Sequence, residues 1–170
     1  SVANQCKAAD LLGGIGHVSL LSRKCGLWGG TTCLGRSRTS TDPVAYHGPM
    51  APALLTALVS IGMALAGRLQ KKDYHVWVVI GDGESQEGSV WEAAMAGAKW
   101  KLGNLTAILD RNNLQNDWYV NDLMPIEPVA DKWRAFGWHV VEINGHAMEE
   151  IVPALESAKD REDGPTLILA

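Results

Sequence analysis

A mostly parallel α/β sheet with helices on both faces is the architecture this sequence predicts, on three observations. Short strands rich in β-branched residues alternate with helical stretches of roughly ten to fifteen residues, the clearest strand is closed by a glycine, and no internal repeat is present. Alternation of that kind makes βαβ units, which bury a parallel sheet on both sides.

The rhythm begins near residue 50. An apolar helix is expected from about Pro52 to Gln70, inside a stretch from Gly48 to Gly67 that has no charged residue. That stretch approaches the length of a membrane span. Pro49 and Pro52 break its start, and Thr56, Ser60 and Gly62 interrupt its apolar run, so it reads as a buried helix of a soluble domain. The strand His75-Val76-Trp77-Val78-Val79-Ile80 follows, closed by Gly81. A second helix, Glu87 to Lys101, carries Val90, Trp91, Ala94, Ala98 and Lys101 at three-and-four spacing.

Leu105 to Leu109 is the next strand, followed by a loop from Asp110 to about Glu127 and a helix opened by Pro128, which suits a first-turn position. Trp138 to Ile143 is a strand in which His139 is expected to be packed. His146 is expected to open a helix, Ala147 to Lys159, that Pro153 interrupts. Thr166 to Leu169 forms a last strand. Trp77, Trp91, Trp100, Trp133 and Trp138 lie on these elements and are assigned to core packing rather than to carbohydrate stacking. Before residue 50, only Ala8 to Leu12 and Val18 to Leu21 look like elements. The expected organisation is a poorly assigned segment over 1–50 and one domain over 51–170, incomplete at its C-terminus because the chain stops inside a strand.

Fifteen Lys and Arg against nineteen Asp and Glu give a formal charge of -4, and their mixed distribution offers no basic field to a nucleic acid. Cys6, Cys25 and Cys33 are odd in number and too irregularly spaced for a zinc knuckle, a thioredoxin-type pair or a disulfide framework. Free thiols in a reducing cytoplasm are expected. No basic-then-apolar leader opens the chain, which argues against secretion.

In open parallel sheets ligands bind beyond the carboxyl ends of the strands, so the residues following Ile80 and Leu109 are the informative ones. They are Gly81-Asp82-Gly83-Glu84 and Asp110-Arg111-Asn112-Asn113. Two glycines around a carboxylate permit a tight turn and bring amide hydrogens near an anion, while Asp82 offers a hard oxygen to a divalent cation. Asp82, the Asn112 side chain and the Leu114 carbonyl together make the donor set that magnesium takes when it also binds a diphosphate. Arg111 is open to a phosphate contact or to solvent.

Residues 84 to 111 separate Gly83 from Asn112, and a Gly-Asp-Gly triplet followed at that distance by Asn-Asn resembles the thiamine diphosphate signature of transketolases, pyruvate dehydrogenase components and 2-oxo acid decarboxylases. The intervening run, GDGESQEGSVWEAAMAGAKWKLGNLTAILDRNNLQ, is similar to the N-terminal subunits of transketolases, and the resemblance is close from about Gly62 to Ala170. It implies a thiamine diphosphate-binding fold in which Asp82, Asn112 and the Leu114 carbonyl hold magnesium. Gly81 and Gly83 then contact the diphosphate, and Glu84, in the same turn, is a further cofactor-binding candidate. It implies a catalytic role for Glu87, which with Glu92 falls where the family places glutamates that link the two active sites of a dimer. Five residues apart on a helix, the two diverge by about 140° and do not share a partner, and Glu92 reads equally as a solvated carboxylate.

Gly16-His17 resembles an early transketolase segment whose histidine faces the substrate channel, with Val18-Ser19-Leu20 standing where the family has Pro-Gly-Gly. Tyr46-His47-Gly48 is similar to the segment in which a His-Gly pair approaches the diphosphate. His17 and His47 are therefore candidate catalytic residues. Several dozen family residues, including a Gly-Leu-Gly-Gln-Gly turn over the cofactor, have no counterpart between that segment and the helix ending Gly62-Met63-Ala64-Leu65-Ala66, so a more open cofactor site is expected.

The resemblance implies transfer of a two-carbon ketol unit between sugar phosphates. It also implies a partner subunit supplying the pyrimidine-binding domain, in a dimer or heterotetramer, with neither nucleic acid nor membrane involved. The alternatives are another thiamine diphosphate enzyme, such as a 1-deoxyxylulose-5-phosphate synthase or a 2-oxo acid dehydrogenase component, and a non-catalytic interaction module. A nicotinamide-binding domain is disfavoured by the lack of a three-glycine fingerprint.

Overall fold

The computed structural model describes residues 19–21, 53–115 and 118–170. The elements are β1 (Ser19–Leu21), α1 (Ala53–Leu69), β2 (Val76–Gly81), a 3-10 turn (Glu84–Gln86), α2 (Gly88–Lys99), β3 (Leu105–Asp110), α3 (Val120–Leu123), α4 (Val129–Ala135), β4 (His139–Glu142), α5 (Met148–Lys159) and β5 (Thr166–Leu169). The five strands form one sheet in the order β1-β2-β3-β5-β4 with every pair parallel, as the alternation of strands and helices predicts.

Side-chain alternation along the strands divides the core into two layers. Val76, Val78 and Ile80 of β2, Leu105, Ala107 and Leu109 of β3, and Leu167 of β5 face α1, α2 and α4. Trp77 and Ile168, from the intervening positions, face Ala154, Leu155 and Ala158 of α5. In α1 the buried residues Ala57, Ser60, Ile61 and Ala64 follow a three-and-four spacing, so the uncharged stretch is a core helix. No helix among the described residues is long and apolar enough to cross a membrane. An aromatic cluster closes the first layer. Trp133 and Trp138 meet edge to face with ring centres 4.7 Å apart, and the Trp138 indole N–H donates to the Ala94 carbonyl at 2.8 Å.

Three expectations are corrected. His139 is exposed rather than packed in the sheet, because β4 is an edge strand whose outward positions meet solvent. Trp100 is 44% exposed rather than in the core, since it follows the last residue of α2. Pro153 does not interrupt α5: it lies within the helix on an exposed position, where its ring points away from the packed face. Several boundaries also shift, and Pro128 caps α4 instead of lying in its first turn. The expected loop after β3 contains α3, and His146 precedes α5, its amide donating to Asn144 at 3.0 Å.

The register decides where the candidate corners stand. Gly81, the last residue of β2, lies opposite Asp110, the last of β3, so Asp82 and Arg111 leave the sheet side by side at its carboxyl edge.

Candidate functional site

Two adjacent strand ends build the site. After β2 the chain folds into the 3-10 turn, held by Ser85, whose hydroxyl donates to the Asp82 carbonyl at 2.7 Å, and by Glu84, whose carboxylate accepts the Gly81 amide at 2.7 Å. Glu84 thus closes the turn from within. Neither Gly81 nor Gly83 takes a positive φ. What Gly83 supplies is room: a Cβ there would lie 3.2 Å from both Cβ and Oε1 of Gln115, so glycine permits the second corner to approach.

After β3 the chain turns through Asn113, at φ 59°, into a short antiparallel bridge between Leu114 and Tyr119. The bonds on either side of that bridge run from the Val120 amide to the Asn113 carbonyl and from the Gln115 amide to the Trp118 carbonyl. They leave the Leu114 carbonyl out of the pairing. Asn112 is exposed; its side-chain oxygen accepts the Leu114 amide at 2.8 Å and its amide nitrogen donates to Asp110 at 3.2 Å.

Asp82 joins the corners. It is 1% exposed, and its Oδ2 accepts the backbone amide of Asn113 at 2.5 Å, with the Arg111 guanidinium 3.7 Å away. Its Oδ1 is enclosed and has no hydrogen-bond partner. Burial pushes the Asp82 carboxyl above the usual carboxylate value, and Arg111, then the Asn113 amide, act in the opposite direction. A buried carboxylate oxygen without a partner is costly in a native structure and calls for a ligand. A hard divalent cation fits, because it takes oxygen donors of the kinds collected here: a carboxylate, an amide oxygen and a peptide carbonyl. Among the described residues no three His, Cys, Asp or Glu side chains converge to hold a metal. The donor set at this corner contains a single carboxylate and is of a different kind.

The other half of the ionic arrangement, Glu127, is marked by no motif. Its Oε1 accepts Nε of Arg111 at 2.7 Å and also Nη2, while its Oε2 accepts the Val129 amide at 2.9 Å at the start of α4. The Val129 amide, and then Arg111, hold the Glu127 carboxyl below its usual value against the opposing effect of its partial burial. The available signal was the pairing demand of Arg111, an arginine next to a strand end and two residues from the buried carboxylate's hydrogen-bond donor. Glu87 is half-buried at the N-cap position of α2 and makes no side-chain cap, and Glu92 is exposed. The structure brings Gly81, Asp82, Gly83, Glu84, Asn112 and Leu114 to one edge of the sheet. His17 and His47 lie outside the described residues.

The thiamine diphosphate binding domain of transketolase matches residues 56–170, a stretch that contains both corners. The chain belongs to the transketolase family. It is 47% identical over 110 residues to the 6-deoxy-6-sulfo-D-fructose transketolase subunit SqwG of a Clostridium species, covering 65% of this chain and 40% of that protein. It is 46% identical over 112 residues to a subunit of the apulose-4-phosphate transketolase of Phocaeicola vulgatus, covering 66% and 40%. The match thus spans about two fifths of the length of these relatives. Among solved structures, the transketolase of Campylobacter jejuni superposes with a TM-score of 0.59 at 34% identity, covering 68% of this chain and 19% of that one. The carboxyl edge of the sheet therefore sits in a transketolase-type thiamine diphosphate domain.

Proposed function

We propose that this chain is the diphosphate- and magnesium-binding part of a thiamine diphosphate-dependent transketolase, working with a pyrimidine-binding domain on a separate subunit. The observation that carries the reading is the unpaired Oδ1 of buried Asp82, set beside Asn112 and Leu114 by the bond to the Asn113 amide. Asp82 supplies the anionic ligand to magnesium, the Asn112 amide oxygen and the Leu114 carbonyl add neutral donors, and Gly83, beside Gln115, lets the two corners close up around the diphosphate. The bound cofactor would supply the carbon nucleophile for cleaving a ketose beside its carbonyl. The chain's own residues hold its diphosphate end and fix its position. Glu87, half-buried at the start of α2, is assigned to the contact with the partner subunit.

The relatives named as subunits support a site completed across an interface, in a dimer or heterotetramer. Their names also point to phosphorylated or sulfonated sugars as the substrate class, and a two-carbon ketol transfer follows from the family. Cys6, Cys25 and Cys33, unsuited to a disulfide framework, favour a reducing cytoplasm.

The test is calorimetric titration of thiamine diphosphate with and without magnesium, on the chain alone and in the presence of its partner subunit. Metal-dependent binding that Asp82→Ala abolishes is expected. Metal-independent binding, or an Asp82→Ala variant with wild-type affinity, defeats the assignment.

A further inference from the structure

Arg111 is held in a fork between two carboxylates of different kinds. On one side is Asp82, buried, with Oδ2 3.7 Å from Nη1 of Arg111; on the other is Glu127, half exposed, accepting two guanidinium nitrogens on one oxygen. Glu127 is itself fixed, since its other oxygen takes the Val129 amide. The closer contacts are all to Glu127. The guanidinium is thus near enough to offset the charge of Asp82, yet it makes no hydrogen bond to that carboxylate and leaves Oδ1 unpaired. A fixed cation beside a metal ligand repels an incoming divalent ion, and more so the closer it comes.

We propose that Arg111 is a positioning residue that stands in for the metal's charge at Asp82, and that Glu127 holds it back so that the ion can enter. This deepens the metal-binding reading above and rests on it. Loading of the site then depends on a balance: Asp82 draws the guanidinium in, while Glu127, braced by the first turn of α4, draws it away. Freed from Glu127, the fork would close on Asp82 and compete with the ion. Without the guanidinium, Asp82 would have no cation beside it among the described residues but the ion itself.

Removing the guanidinium and removing its brace should therefore act in opposite directions, which a role in packing alone would not produce. Using the full chain at about pH 8, where carboxylates are ionised, free Mn2+ counted by electron paramagnetic resonance gives the affinity. Arg111→Gln is expected to bind Mn2+ about fivefold more tightly than wild type, and Glu127→Gln about fivefold more weakly. The double variant is expected to follow Arg111→Gln, because Glu127 acts through the guanidinium. Weakening in both single variants, no change in either, or a double variant that returns to wild-type affinity overturns the proposal. Circular dichroism checks that each variant is folded. If Arg111→Gln unfolds, Glu127→Gln decides alone, and tighter or unchanged binding there overturns it. Asp82→Asn separates the two readings. Should wild type fail to bind Mn2+, or Asp82→Asn bind as wild type does, the metal site falls and this role with it; Asp82-dependent binding with both single variants weakened sinks only the role of Arg111.

Discussion

The two ends of the parallel sheet treat their ionisable groups in different ways. At the amino edge the ionisable groups are neutral or spent: His75 shares a 2.8 Å hydrogen bond with the Thr106 hydroxyl, Arg68 donates to the Trp100 and Lys101 carbonyls that follow α2, and the buried atoms left without a partner there, Asn104 Oδ1 and Thr166 Oγ1, are uncharged. At the carboxyl edge a buried carboxylate keeps an unpaired oxygen, and a guanidinium is held short of it. One sheet thus has an end built for stability and an end that holds unsatisfied charge for a ligand. Changes at the first should cost folding, and changes at the second should cost binding more than folding.

The largest test of that contrast is acid. Burial, with Lys159 second, pulls the His75 imidazole down from 6.5 to about 4. The folded chain holds His75 neutral, so its contribution is complete above 6.5 and is lost as pH falls through about 4. The shift corresponds to about 3 kcal/mol. Urea unfolding across that range should show the loss, and His75→Phe should flatten it; an unaltered slope would assign the acid sensitivity elsewhere.

Next is a matched pair of glycines. A Cβ at Gly103, on the amino edge, would lie 2.6 Å from the Glu162 Cα and 2.7 Å from its carbonyl, all backbone. Gly103→Ala is expected to lower stability by about 2 kcal/mol. At Gly83, on the carboxyl edge, the neighbour is the Gln115 side chain, which can turn aside, so Gly83→Ala should cost about 0.5 kcal/mol of stability while weakening cofactor binding. Between these in size stands Asp82→Asn. Removing a buried charge whose Oδ1 is unpaired should stabilise the cofactor-free chain by about 1 kcal/mol in the same unfolding assay, and abolish metal binding. A destabilised Asp82→Asn protein would show that the carboxylate serves the fold.

The sequence was most readable where periodicity and spacing act locally. β-branched runs marked β2 and β3, and the distance from Gly83 to Asn112 marked two corners that the register sets side by side. His139 was misplaced because an apolar-rich strand does not reveal whether it lies at the edge or centre of a sheet; strand order does. Glu127 was missed for a related reason. It lies sixteen positions after Arg111, and their meeting depends on the path through the Leu114–Tyr119 bridge, α3 and the start of α4, which no pattern in the loop encodes.

The contrast between the ends also reaches the indole rings. Trp77, Trp133 and Trp138 are shielded, whereas Trp118, 58% exposed, stands beside the carboxyl corner and Trp100, 44% exposed, marks the opposite end. Among the described residues the exposed indoles, which emit at long wavelength, thus lie one at each pole. With Trp100→Phe and Trp28→Phe in place, quenching at the red edge becomes an optical reporter of whatever docks over the Asp82 corner.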